Sequence, residues 1–225
     1  MSVSGIVTDI EGTTTSISFV YDILFPYARS HLSDFVMAHH GRESVVKILE
    51  EIQEISGASE PKAAVDVLLG WMDADRKVTP LKSLQGMIWR DAYESGKIKG
   101  HVYPDAYKEL AGWRDDGKIL AVYSSGSVAA QKLLFGYSDF GDMRPLFRDY
   151  FDTTTGPKKE AQSYGEIAAA LGEDAGSLLF LSDAEAELDA TFEAGFQVVQ
   201  LIREPSMTPS SKYRWVGSFS DIELP

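Results

Sequence analysis

Apolar positions along the chain follow two rhythms. Four short aliphatic or β-branched runs, Gly5 to Thr8, Ile119 to Tyr123, Leu178 to Leu181 and Phe196 to Ile202, have the length and composition of buried strands. All but the last stop at a polar turn. Between the later runs the apolar residues recur at helical spacing. One face carries Tyr107, Leu110, Ala111 and Arg114, another Val128, Gln131, Lys132 and Phe135, a third Ile167, Ala168 and Leu171, and a less regular fourth Leu188, Ala190 and Phe192. Strand and helix alternating in this order predict an α/β protein whose parallel sheet is joined by right-handed crossovers.

The interval from Phe19 to Lys99 breaks the alternation, with helix-like periodicity and no convincing strand. Ile48, Ile52 and Ile55 repeat at helical spacing, and Gly57 follows as a C-cap. Ser59-Glu60-Pro61 opens the next helix, with Val65, Leu68 and Leu69 on its inner face; Thr79-Pro80 opens a last one through Leu84, Met87 and Ile88. The chain is therefore expected to make one strand, leave for a helical insertion over residues 19–99, and complete an α/β core from residues 1–18 and 100–225.

Composition narrows the class. With 225 residues, 44% hydrophobic and 24% charged, the chain can bury a sizeable core, and without cysteine it is not a disulfide scaffold. A formal charge of −13 repels polyanions, so neither nucleic acid nor an anionic membrane surface is an expected partner. An anionic substrate would have to be met locally, by a metal, a lysine or backbone amides. The first residues lack a basic start followed by a sustained apolar run, and no stretch approaches the roughly 18 apolar residues of a membrane helix. A soluble cytoplasmic protein is the resulting expectation.

The chemistry gathers at the strand ends. The first strand runs into Asp9-Ile10-Glu11-Gly12-Thr13-Thr14, where ligands of open parallel sheets bind, and alternation lets Asp9 and Glu11 face one centre. Gly12 permits a sharp turn that leaves amides for an anion. A bare Asp-x-Glu-Gly is usually two solvated acids in a turn, so the other strand ends decide. Ser124-Ser125-Gly126-Ser127 suits an oxyanion at a helix N-terminus, although Ser127 also suits a plain N-cap. Ser182-Asp183 brings a carboxylate that is either a cap or the closure of an all-oxygen site of the kind Mg²⁺ takes. Lys158, in Gly156-Pro157-Lys158-Lys159, is placed to meet a phosphate, and only position separates it from Lys159. A carboxylate pair, a hydroxyl pair and a third carboxylate at three strand ends point together to Mg²⁺-assisted phosphoryl transfer with an aspartate nucleophile.

In this order the motifs resemble the haloacid dehalogenase-like superfamily and, within it, the enolase-phosphatase family of methionine salvage. The resemblance rests on DIEGTTTSISFV from Asp9, LFPYAR from Leu24, GHVYPD from Gly100, YSSGSVAAQKLLFG from Tyr123, YFDTTTGPK from Tyr150 and FLSD from Phe180. It implies a Rossmann-like doubly wound sheet with an inserted helical cap and a monomer with one Mg²⁺. The implied substrate is a small phosphorylated diketone, enolised first and then dephosphorylated. It further implies Asp9 as nucleophile and metal ligand, Glu11 as acid/base and metal ligand through its side chain or its backbone carbonyl, Asp183 as the remaining protein ligand, and Ser124, Ser125 and Lys158 as substrate-binding residues. Glu11 stands where most of the superfamily has Asp, and the role of Glu187 is left open. The rivals are a Mg²⁺-dependent phosphatase for another small ester, a metal-free dehalogenase, and a silent binding module.

His101, Trp71, Trp89 and Trp113 are read as turn or core residues, and His39-His40 lacks a third ligand for zinc. Phe19 and Tyr21 are read mostly as packing.

Overall fold

The computed structural model describes residues 2–224, which divide into two compact units. One holds the residues up to Ile17 together with those from Lys99 onward; the other is Ser18–Ile98.

The first unit contains six strands: β1 (Gly5–Thr8), β2 (Ile119–Tyr123), β3 (Asp149–Phe151), β4 (Leu178–Ser182), β5 (Gln197–Leu201) and β6 (Trp215–Val216). All pair in parallel, in the order β3-β2-β1-β4-β5-β6. This is the doubly wound arrangement, and its order reverses between β1 and β4, the point beyond whose strand ends sheets of this kind bind ligands. β1 and β4 are buried along their whole length, which explains their uninterrupted aliphatic sequences. Alternate residues such as Val7, Ala121, Tyr123 and Phe180 pack in one cluster with Tyr164, Ile167 and Leu188. Ile6, Leu120 and Leu179, one step out of phase, are buried as well, so both faces of the sheet are covered.

Two strands went unread in the sequence, β3 and β6, of three and two residues at the sheet's two edges; segments so short carry no periodicity. The fourth predicted helical face, on the helix Glu185–Glu193, is also corrected, since Phe192 is 60% exposed while Leu188 and Ala190 are buried.

The second unit starts with a π-helical turn, Phe19–Leu24, that continues into a helix Phe25–His39, followed by helices Glu43–Ser56, Pro61–Asp73 and Thr79–Glu94. Leu32, Val45, Ile52, Leu68 and Leu84 form its buried centre. Gly57 closes the second of these helices at φ 78°, returning its N–H to Gln53 O, as the sequence predicts. Ile55, expected on the inner face, is 51% exposed: it lies on the final turn, beyond the cover that Ile48 and Ile52 receive. Trp71 is buried, and Trp89 donates its Nε1–H to Leu24 O at 2.8 Å, so both serve packing.

The α-helices of the first unit are α1 (Pro104–Asp115), α2 (Val128–Gly136), α3 (Ala161–Leu171) and α4 (Glu185–Glu193).

Candidate active site

The chain leaves β1 with Asp9 still in the sheet, its N–H donating to Leu181 O at 2.8 Å. It then turns at Gly12, φ 71°, where an L side chain would be strained. The turn is closed by its own amides: Thr13, Thr14 and Thr15 all direct N–H to Ile10 O, and Gly12 N–H meets Thr15 O at 2.9 Å. The amides expected to be free for an anion are thus used internally, because the threonines that follow Gly12 curl back over Ile10. Thr13 Oγ1 accepts the Asp183 N–H at 3.1 Å, and Thr14 Oγ1 donates to Asp9 O at 3.2 Å. His101 also supports this loop, accepting the Ser16 N–H at Nδ1, 3.2 Å; it shapes a turn, as read from the sequence.

Lys158 is the cation of the site. It is buried whereas Lys159 is exposed, and its Nζ lies 2.6 Å from Asp9 Oδ1 and 2.7 Å from Glu187 Oε2. Burial alone would lower the lysine's pKa; Asp9 and Glu187 outweigh it and raise it, so the ammonium persists. Asp9 Oδ1 also accepts the Ile10 N–H at 2.8 Å, which fixes the carboxylate from two sides. Ser182 Oγ donates to Glu187 Oε2 at 2.9 Å. Glu187, whose role the sequence leaves open, is therefore the second anchor of Lys158.

Glu11 receives the Ser124 hydroxyl at Oε2, 3.2 Å, across the gap between the ends of β1 and β2. Its pKa is raised, first by burial and then by the charge of Asp9. Asp183 is pushed up to about 7 for the same reasons in the same order, as is Glu187, also to about 7. Asp183 does not cap α4; it lies so close to Gly12 that a Cβ there would fall 2.7 Å from its Cγ. Ser124 is buried and accepts the Gly126 N–H at 3.1 Å, while Ser125 is the only exposed member of the predicted set. At the start of α2, Ser127 Oγ caps Ala130 N–H and Asp152 Oδ2 takes Val128 N–H. The plain N-cap reading of Ser127 therefore holds, and these amides are not open to an oxyanion.

Four acids, Asp9, Glu11, Asp183 and Glu187, thus share one buried lysine, and burial plus mutual repulsion holds three of them above their ordinary pKa. That is a site short of positive charge. Among the described residues no three His, Cys, Asp or Glu side chains form a ready cage. Mg²⁺ does not require one, since it keeps several waters and takes one or two carboxylates together with substrate phosphate. All-oxygen donors and the charge deficit fit that ion.

Residues that sequence reasoning did not find lie behind these. Arg203 donates Nε–H to Thr13 O at 3.0 Å and pairs through Nη1 with Asp105 Oδ2 at 2.7 Å, while its guanidinium stacks on Tyr103 at 4.3 Å. Gln131 joins two strand-end loops, donating to Gly126 O and Phe151 O at 2.8 Å each. The block GHVYPD contained Asp105 and YSSGSVAAQ contained Gln131, but their partners lie in other segments.

A haloacid dehalogenase-like hydrolase family model matches residues 3–195. Enolase-phosphatase E1 of Pseudomonas aeruginosa (strain UCBPP-PA14) is 50% identical, over 99% of both chains. Enolase-phosphatase E1 of Pseudomonas fluorescens (strain Pf0-1) is 52% identical, over 99% of this chain and 98% of that one. Among solved structures, the UTR4 protein of Saccharomyces cerevisiae matches with a TM-score of 0.84 at 36% identity, covering 98% of this chain and all of that one. An L-2-haloacid dehalogenase shares the fold alone, with a TM-score of 0.60 at 16% identity over 98% of this chain and 97% of that one. Identity of this depth from end to end, on a core that the family model matches, decides the kinship: the chain belongs to the haloacid dehalogenase-like hydrolases and, within them, to the enolase-phosphatases.

Proposed function

We propose that the protein is a bifunctional enolase-phosphatase of methionine salvage. It converts 2,3-diketo-5-methylthiopentyl 1-phosphate, through the 2-hydroxy-3-keto enol, to the acireductone 1,2-dihydroxy-3-keto-5-methylthiopentene and phosphate. The observation that carries this reading is the pairing of Asp9, fixed by Lys158 and the Ile10 N–H, with a Glu11 that burial and Asp9 hold at raised pKa.

In the first half-reaction Glu11, in its ionised form, takes a proton from the carbon that bears the phosphate, the electron pair moves onto the neighbouring carbonyl oxygen, and Glu11 passes the proton to that oxygen to give the 2-hydroxy enol. The Ser124 hydroxyl orients Glu11 for this transfer. In the second, an Asp9 carboxylate oxygen attacks phosphorus and the ester P–O bond breaks. Glu11, protonated again from solvent, gives that proton to the departing oxygen, and water, passing a proton back to Glu11, then cleaves the aspartyl-phosphate. Lys158 meets the phosphoryl oxygens as a fixed positive charge, with Ser125 as a hydroxyl donor and Ser124 joining it once Glu11 is protonated and gives up the Ser124 hydroxyl. Asp9, Glu11 and Asp183 are the residues that would hold Mg²⁺, which when bound supplies a Lewis acid for carbonyl and phosphoryl oxygens.

The helical insertion takes the part of a substrate-selecting cap, the role its family resemblance implies. One Mg²⁺ per chain, a monomer and a cytoplasmic setting complete the reading; no described helix is long and apolar enough to cross a membrane.

The test follows the diketo phosphate with and without Mg²⁺, recording enol absorbance together with phosphate release, for the native chain and for Glu11→Gln. Mg²⁺-dependent absorbance and phosphate release are expected, with both slowed about 10²-fold or more by the substitution while substrate binding is retained. Phosphate release from generic esters but not from this compound would move the chain to another phosphatase, and turnover unaffected by Glu11→Gln would remove Glu11 from the mechanism.

A further inference from the structure

Lys158 lies in a stretch, residues 152–160, that belongs to no helix or strand, so no ladder fixes its backbone. The three successive carbonyls that end at this lysine are nonetheless each bound by a side-chain hydroxyl. Tyr123 Oη donates to Gly156 O at 2.8 Å, Ser163 Oγ to Pro157 O at 2.8 Å, and Tyr164 Oη to Lys158 O at 2.7 Å. The donors come from the end of β2 and the first turn of α3, and all three are buried. Burial raises the pKa of both tyrosines, so each keeps its proton and remains a donor. The Tyr123 ring also lies 5.7 Å from Lys158 Nζ. Gly156 has no side chain to spare here, since a Cβ would run into Ser163 Oγ.

Phenylalanine would fill the space of either tyrosine. What the hydroxyls add is one donor for each carbonyl of a loop that carries a long, flexible lysine. Fixing only the ammonium, through Asp9 and Glu187, leaves the stem free to sample many rotamers; fixing the backbone as well removes that freedom before substrate arrives. We infer that Tyr123, Ser163 and Tyr164 are positioning residues for phosphoryl transfer, a row of three hydroxyls that sets where the Lys158 ammonium meets the phosphoryl group. This rests on the reading of Lys158 as the phosphate-binding lysine.

The experiment measures orthovanadate affinity by vanadium NMR, with thermal midpoints alongside. The chains compared carry Tyr164→Phe, Tyr123→Phe or Ser163→Ala, each in the native background and again with Lys158→Ala. In the native background each substitution should weaken orthovanadate about tenfold, and with Lys158 absent by less than about twofold, whereas the thermal shift should be equal in both. Equal weakening in the two backgrounds, or none in the native one, would show that the hydroxyls serve only the fold and would overturn the inference. So would a Lys158→Ala chain that binds orthovanadate as tightly as the native protein. If Tyr164→Phe does not fold, Ser163→Ala carries the same comparison with a smaller change. A native chain that binds orthovanadate through Lys158 yet leaves the diketo phosphate unchanged would sink the proposed substrate and leave the positioning row standing.

Discussion

Gly12→Ala isolates how tightly the loop after β1 is fitted against Asp183. Two costs arise. The first is conformational: an alanine at φ 71° pays about 1–2 kcal/mol for the left-handed backbone. The second is local: the new methyl would sit 2.7 Å from Asp183 Cγ and closer still to its Oδ2, against about 3.5–4.0 Å for comfortable carbon contacts. The carboxylate must therefore retreat by about 1 Å, and a displacement of that size at a proposed metal-holding carboxylate should cost about 10²-fold in rate. Gly172→Ala supplies the control. It has φ 68° at the end of α3 and nothing within 4 Å of its added carbon, so it carries the first cost without the second. Both variants should lose about 2–8 °C in thermal midpoint. Only Gly12→Ala should lose about 10²-fold in kcat/KM for phosphate release and need more Mg²⁺ to reach half-maximal rate. A Gly12→Ala enzyme with native Mg²⁺ dependence and a rate within twofold of Gly172→Ala would refute the argument that Asp183 is held in place by the absence of a side chain at position 12.

Two other outcomes are expected. Asp9→Asn should lower phosphate release by about 10⁴-fold or more while the circular dichroism spectrum stays native, because an amide cannot attack phosphorus; appreciable residual turnover would exclude the covalent route. Asp105→Asn probes the support behind the loop. Burial pushes the Asp105 pKa up, but bonds from Arg203, the Phe219 N–H and Ser218 outweigh it and hold it below the ordinary carboxylate value. A carboxylate with a depressed folded pKa contributes stability that is present above the unfolded pKa and lost as pH falls through the folded one. Asp105→Asn should thus cost about 2 kcal/mol in urea unfolding at pH 7 and progressively less as pH falls below about 4. A gap that stays constant from pH 7 to pH 3 would contradict it.

The parts of this protein that sequence makes legible are those where one physical demand acts on contiguous residues. β1 and β4 stand out because burial on both faces demands an unbroken aliphatic run, and Asp9, Glu11, Ser124 and Asp183 because a strand end marks where chemistry can sit. Lys158 could be named for the same reason, yet its separation from Lys159 is a matter of burial that only the folded core provides. What stayed hidden depends on distant pairs. Arg203 and Asp105 are 98 positions apart, and neither has a local pattern that asks for the other. Glu187 gains its meaning from Lys158, and the hydroxyls of Tyr123 and Tyr164 look like ordinary core residues until the carbonyls they hold are seen. The amides after Gly12 were misread because the sequence shows that a turn is possible there, but not that three threonines close it upon Ile10.

The position of β1 also governs how the protein can be made. Gly5 pairs with Ile119 on one side and Leu178 on the other, so β1 is made before either partner and is fully paired only once β4 has emerged. At ribosomal speeds of about 5–20 residues per second, roughly ten to thirty seconds pass between the emergence of Asp9 and that of Asp183. During that interval the helical unit Ser18–Ile98, which has its own apolar centre, can condense while the strand before it waits unpaired. The waiting strand is short, and the long closure adds little thermodynamic cost, since doubling a loop costs only about 0.6 kcal/mol. Its consequence is temporal: a nascent or truncated chain that ends before β4 has Asp9, the proposed nucleophile, but not Asp183, and on that proposal catalytic competence arrives in one late step.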